Sequence, residues 1–127
     1  MSINWTQIRH FKPTEFERPE LLRWEMLKAL EDLREAVGFP LKISSSYRDP
    51  AHNMVVGGAL DSAHLPDPHD GFYSGIDIQT TGIGGVSLFF LLREVMRRFV
   101  RVGIYPNHIH IDCENRLTQQ CAWVEND

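Results

Sequence analysis

The segment His108-Ile109-His110-Ile111-Asp112 places two imidazoles and a carboxylate at alternate positions. Alternate residues of an extended strand share a face. His108, His110 and Asp112 would therefore stand on one face, and Ile109 and Ile111 on the other. Burying such a polar set is costly unless something pairs with it. A metal ion does so well, because neutral imidazole and carboxylate are good zinc ligands. The competing reading is a solvated sheet face, since open antiparallel sheets commonly keep one face wet. Two further residues bear on the choice. His64 follows Ser62-Ala63 ahead of a loop, and Asp77 lies between Ile76 and Ile78, an apolar place for a carboxylate. Each alone reads as an ordinary loop histidine or an exposed strand position. Their appearance together with the His-x-His pair points to a site.

Such residues need elements to hold them. Thr14-x-x-Glu17 fits a capping box, and Pro19 can occupy the first turn of a helix. Leu22, Met26, Leu30, Leu33 and Val37 recur at helical spacing, which predicts a helix of roughly 18 residues with one apolar stripe. Gly38 and Pro40 would stop it. Residues 41–44 alternate as a short strand. Asp49 is placed to cap a short helix from Pro50, ended by Gly57-Gly58. Residues 65–71 form a loop by composition, and Gly75-Ile76-Asp77-Ile78 leaves it as a strand. Gly82, Gly84 and Gly85 mark a turn. Ser87 can cap a further helix whose core face is Leu88, Leu91, Leu92, Val95, Met96 and Phe99. Val100, Val102 and Ile104 alternate, Pro106-Asn107 turns the chain, and residues 108–112 form the final strand. The prediction is one domain over residues 1–127 with an α+β fold, a small mainly antiparallel sheet flanked by two or three helices.

Composition narrows the function. The 127 residues are 43% hydrophobic and 24% charged, within the globular range. Thirteen Lys and Arg against 17 Asp and Glu leave a net charge of −4, with no basic run. That disfavours an electrostatic nucleic-acid binder. The longest apolar stretch, Val86 to Leu92, is too short to span a bilayer, so no membrane insertion is expected. The first residues lack an apolar export segment, and the expectation is synthesis in the cytoplasm without a Sec signal. Cys113 and Cys121 are too few for a disulfide scaffold and lack zinc-type spacing. They read as two reduced, partly buried thiols, with a bridge between them left open on geometry. A monomer is expected.

The run Ile43-Ser44-Ser45-Ser46-Tyr47-Arg48-Asp49-Pro50-Ala51-His52-Asn53, then Gly57-Gly58-Ala59, then Ser62-Ala63-His64 resembles the zinc D-Ala-D-Ala carboxypeptidase family. Vancomycin-resistance D-Ala-D-Ala dipeptidases and phage L-Ala-D-Glu endolysins are relatives, and Hedgehog signalling domains share the fold. The family motif runs S-x-H, then G-x-A-x-D, and later a His preceded by an acid or a His. Phe11, Glu15-Phe16, Leu33-Arg34-Glu35 and Gly103-Ile104-Tyr105-Pro106 are similar to the small branch common in phages. The resemblance covers roughly residues 11–112.

The resemblance implies a Hedgehog/DD-peptidase-like fold and one Zn2+ held by His64, Asp77 and His110. Three protein ligands leave the fourth position for water, as a catalytic site needs. Arg48 matches the arginine that binds the substrate carbonyl or developing oxyanion, and Ser62 would orient His64 or the substrate. The implied substrate is a peptidoglycan stem peptide, cut at D-Ala-D-Ala or L-Ala-D-Glu. With no export signal visible, the implied setting is a phage or prophage enzyme acting on the cell wall after release.

Two departures stand out. Residues 65–76 make a longer interval between ligand His and Asp than the family has, with Ser74-Gly75-Ile76-Asp77 a partial match to G-x-A-x-D. Pro66 to Gly71 looks like an inserted loop, which a fold tolerates readily; its His69 and Asp70 are alternative ligands. Asn107 occupies the place of the family's general base and cannot take a proton at neutral pH. It is assigned to substrate binding, and His108 to the proton role. Two other functions compete. Asn107 favours a catalytically weak or inactive module that binds cell-wall peptide with fold and zinc retained. Two His and one carboxylate also suit non-haem iron oxygenases, although the two amphipathic helices disfavour their double-sheet architecture.

Overall fold

The computed structural model describes residues 3–51, 62–117, 119 and 121–125. Short 3-10 turns at Trp5–Gln7, Pro13–Glu15 and Pro19–Leu21 carry the chain to the first helix. The box predicted at Thr14 and Glu17 forms earlier, where the Lys12 N–H donates to the Glu15 carboxylate at 2.8 Å. Helix α1 spans Trp24–Val37 and so starts later than the apolar spacing predicts. Arg18 takes a left-handed φ of 45°, and Leu22 pairs with Tyr73 in an isolated bridge. Leu22 still joins the core, so the apolar stripe holds although its first residue is extended. Gly38 ends α1 with φ 77°, as expected of a C-terminal glycine.

Strands β1 (Ile43–Ser45) and β2 (Ile76–Gln79) precede helix α2 (Gly85–Arg98). Strands β3 (Arg101–Ile104), β4 (His108–Asp112) and β5 (Cys121–Val124) follow. The sheet order is β1-β2-β4-β3-β5. Every neighbouring pair is antiparallel except β3 with β5. This is the expected α+β architecture, with β5 an added strand that the sequence reading left out. Gly84, not Ser87, caps α2. Met96, expected in the core, is 51% exposed. The helix turns Leu91 and Val95 inward instead, with Glu94 buried beside them and bonded to Arg98 at 2.6 Å. The short helix expected from Pro50 begins at Pro50–Ala51; its remainder and Gly57-Gly58 lie outside the described residues.

One face of the sheet is apolar. Ile76, Ile78, Val102, Ile109 and Ile111 form a single buried cluster with Met26, Leu27, Leu30 and Leu33 of α1 and Leu91 and Val95 of α2. Both helices therefore cover the same face. Cys113 and Cys121 are half-buried and are not bridged to each other. No described helix is long and apolar enough to cross a membrane.

Candidate metal centre

The other face of the sheet carries the polar groups. Strand register places Ser45, Asp77, His110, Gly103 and Trp123 in one row, one residue from each strand. Two residues away on β4 lie His108, opposite Gln79, and Asp112, opposite Arg101. The period of two predicted for residues 108–112 holds: Ile109 and Ile111 enter the core, and His110 and Asp112 are buried on the other side.

His64 arrives from outside the sheet. The Ser62 hydroxyl accepts its backbone N–H at 3.2 Å, and its carbonyl accepts the Arg48 N–H at 2.9 Å. Gly75 packs against this turn, with its N–H on the Ala63 carbonyl at 2.8 Å. A Cβ at Gly75 would lie 2.7 Å from the His64 nitrogen, so only glycine fits between β2 and the turn that carries His64.

Hydrogen bonds set the direction of each ring. His64 Nδ1 donates to the Ser46 carbonyl, which turns Nε2 toward Asp77. That Nε2 is 3.3 Å from Asp77 Oδ1. His110 Nδ1 lies 2.9 Å from the same Asp77 oxygen, and its Nε2 is 2.7 Å from Asp112 Oδ2. The second oxygen of Asp112 accepts from Arg101 Nε at 2.7 Å. His64 Nε2, Asp77 Oδ1 and His110 Nδ1 thus face one another from buried positions.

Electrostatics follow the geometry. Burial pushes the Asp77 carboxyl up, but the hydrogen bonds and charges of His110 and His64 outweigh it and hold the group well below the ordinary carboxylate range. Burial pushes His110 down, and Asp112 and Asp77 more than offset that, so it sits above an ordinary histidine. Burial first, then the neighbouring His110 and His64, lower His108 against the opposing pull of Asp77.

A metal ion fits this donor set. The ligand atoms of His64, Asp77 and His110 lie within 4.8 Å of one another, and two nitrogens with one carboxylate oxygen are suitable zinc donors. Asp112 supplies the carboxylate partner that metal-bound histidines usually have. The only other such group among the described residues is His10, Glu31 and Glu35. There His10 bonds Glu31 at 2.6 Å and Arg9 pairs with Glu35 at 3.1 Å, so the donors already have partners.

The remaining predicted residues fall around this centre. His108 Nε2 is 3.7 Å from Asp77 Oδ2, and its Nδ1 is 2.7 Å from Asn107 Oδ1. Asn107 and His108 line a cavity of about 440 Å³ over Asp77, walled by Ser44 and Ser45. Arg48 lines a second cavity of about 580 Å³ that shares Ser44 and Ser45 with the first. The inserted loop does not reach the centre: Asp70 is held by Arg23 at 2.7 and 3.1 Å, and His69 is exposed. Arg101, Tyr105 and Trp123 were missed by sequence reasoning. The alternation of Cys121-Ala122-Trp123-Val124 was the available signal for the strand that carries Trp123.

The buried His-Asp-His cluster on this α+β fold is a group that could hold a metal ion. The chain belongs to the peptidase M15 family, whose family model, described as Peptidase M15, matches residues 4–112. None of the curated proteins matches it.

Proposed function

We propose that this chain is a zinc metallopeptidase that cleaves peptidoglycan stem peptides at a D-Ala-D-Ala or L-Ala-D-Glu bond. The observation that carries the reading is the convergence of His64 Nε2, Asp77 Oδ1 and His110 Nδ1 on one point of a peptidase M15 fold. Bound there, zinc supplies Lewis acidity, which acidifies water and polarises the scissile carbonyl. The protein supplies the rest. Asp112 keeps the His110 proton on Nε2, so that Nδ1 is the donor. Ser62 and the Arg48 backbone hold the turn that presents His64.

Asn107 takes no proton, and His108 is the base in its place. The Asn107 carbonyl oxygen accepts the His108 Nδ1 proton, which leaves the Nε2 lone pair on the Asp77 side. Burial and the adjacent histidines favour the neutral ring, the form that accepts a proton. Arg48 lines the cavity that shares Ser44 and Ser45 with the one over Asp77. It would hold a substrate carbonyl or the developing oxyanion, while Asn107 offers its amide to the peptide. The enzyme is a monomer of phage or prophage type that meets its substrate in the cell wall after release. The second reading, a cell-wall-peptide-binding module with little or no turnover, is favoured by Asn107 alone.

Mass spectrometry of defined muropeptides incubated with the zinc-loaded protein tests both. Loss of one D-Ala marks the carboxypeptidase, and a split between L-Ala and D-Glu marks the endopeptidase. Unchanged substrate masses together with measurable peptide binding would sink the enzyme reading in favour of the binding module.

A further inference from the structure

The family match ends at Asp112, and the chain goes on to form β5. β5 brings Trp123 beside Gly103 of β3, next in the row to His110. A Cβ on Gly103 would lie 2.5 Å from indole Cε2, so the ring rests on bare backbone at a distance no other residue would allow. From there it meets three side chains. Its centroid is 5.6 Å from that of His110. Its Nε1–H donates to the Tyr105 hydroxyl at 2.9 Å. The Arg101 guanidinium lies 5.5 Å from the ring centroid, a cation–π distance.

Two chains of contact lead from these neighbours to the candidate centre. Arg101 donates to Asp112, which accepts from His110. Tyr105 stacks on His108, with centroids 4.3 Å apart and planes 8° from parallel. The indole touches both, Arg101 across its face and Tyr105 through Nε1–H. We propose that Trp123 is a positioning residue of the metal centre, bracing the Arg101–Asp112 pair behind His110 on one side and the Tyr105–His108 stack on the other. This rests on the assignment of His64, Asp77 and His110 as metal ligands. It adds that the strand beyond the family match is part of the centre.

Outer partners of metal-bound histidines set ring orientation and basicity, and losing one costs about 10- to 100-fold in metal affinity. The test uses the full chain, with zinc affinity measured by competition against a chelating dye and ligand geometry read from the visible absorption of the Co2+ form. Trp123→Ala should weaken zinc by about 10- to 100-fold and alter the Co2+ bands. Trp123→Phe keeps a ring over Gly103 and should recover most of the affinity. Val124→Ala, on the exposed side of the same strand, should match the parent. Parental affinity and an unchanged Co2+ spectrum in folded Trp123→Ala overturn the proposal.

If Trp123→Ala does not fold, Co2+ quenching of tryptophan emission decides. Quenching in the parent that disappears in Trp123→Phe supports the assignment, because the Trp123 ring centroid lies 5.6 Å from that of His110. Quenching that is absent in the parent, or that persists in Trp123→Phe, rejects it. His110→Ala separates the two levels: undiminished zinc in that variant overturns the ligand assignment itself, whatever Trp123 does.

Discussion

His108 is held from both sides, by Asn107 at Nδ1 and by the face of Tyr105. The side-chain amide cannot act as a base, but it fixes which ring nitrogen can. His108→Ala should therefore lower turnover by about 10²- to 10⁴-fold, the usual worth of a general base, with stoichiometric zinc retained. Adding Asn107→Asp to that background should restore part of the rate, because a carboxylate there can take the proton directly. Steady-state kinetics on a synthetic stem peptide, with zinc measured in parallel, checks both outcomes. Parental turnover in His108→Ala would make the residue a bystander. The His-x-His-x-Asp face was legible because a two-residue period depends on backbone geometry alone. The partnership of Asp112 with Arg101 was not, because it depends on which strand lies beside β4 and in what register.

At the scale of elements, the N-terminal segment is fastened to α1 through Glu31. That carboxylate accepts the His10 backbone N–H at 3.1 Å and meets the His10 ring at 2.6 Å. Burial pushes Glu31 up, and the His10 side-chain and backbone hydrogen bonds outweigh it, leaving the group below the ordinary range. A carboxyl lowered in the folded state adds stability above its unfolded pKa and loses it as pH falls through the folded one. Glu31→Gln should cost about 1–3 kcal/mol at neutral pH, the scale of hydrogen bonds to a charged group. It should also flatten the acid-side fall in Tm, which thermal melts between neutral and acid pH will record. A mutant curve parallel to the parent's would remove Glu31 as the source.

This fastening was invisible in the sequence. Position 31 lies off the apolar stripe of Leu30 and Leu33, and His10 belongs to a segment with no periodicity. The start of α1 was misplaced for a related reason. Leu22 has the right spacing for the helix, but its backbone is committed to the bridge with Tyr73. Tertiary pairing there overrides local pattern.

For the whole molecule, one core supports both helices and the back of the sheet that carries the candidate centre. Leu30 is fully buried in it. Leu30→Ala should destabilise by about 2–5 kcal/mol, a large share of the roughly 5–15 kcal/mol that a domain has in total. Urea unfolding of the metal-free protein measures this directly. Addition of zinc should then raise the midpoint, because a ligand that binds only the folded state stabilises it. A loss below about 1 kcal/mol would mean that the cavity collapses.

The alternation of β4 has one more result. Ile109 and Ile111 fill the core while His108, His110 and Asp112 furnish the opposite face. A slip of one residue against β2 and β3 would exchange the two sets. Imidazoles and a carboxylate would enter the oily layer beneath the helices, and isoleucines would stand in the row with Asp77. The faulty conformer would be both inert and short-lived, so the strand proofreads its own alignment. The register that buries the isoleucines is thus the same one that sets His108, His110 and Asp112 on the opposite face.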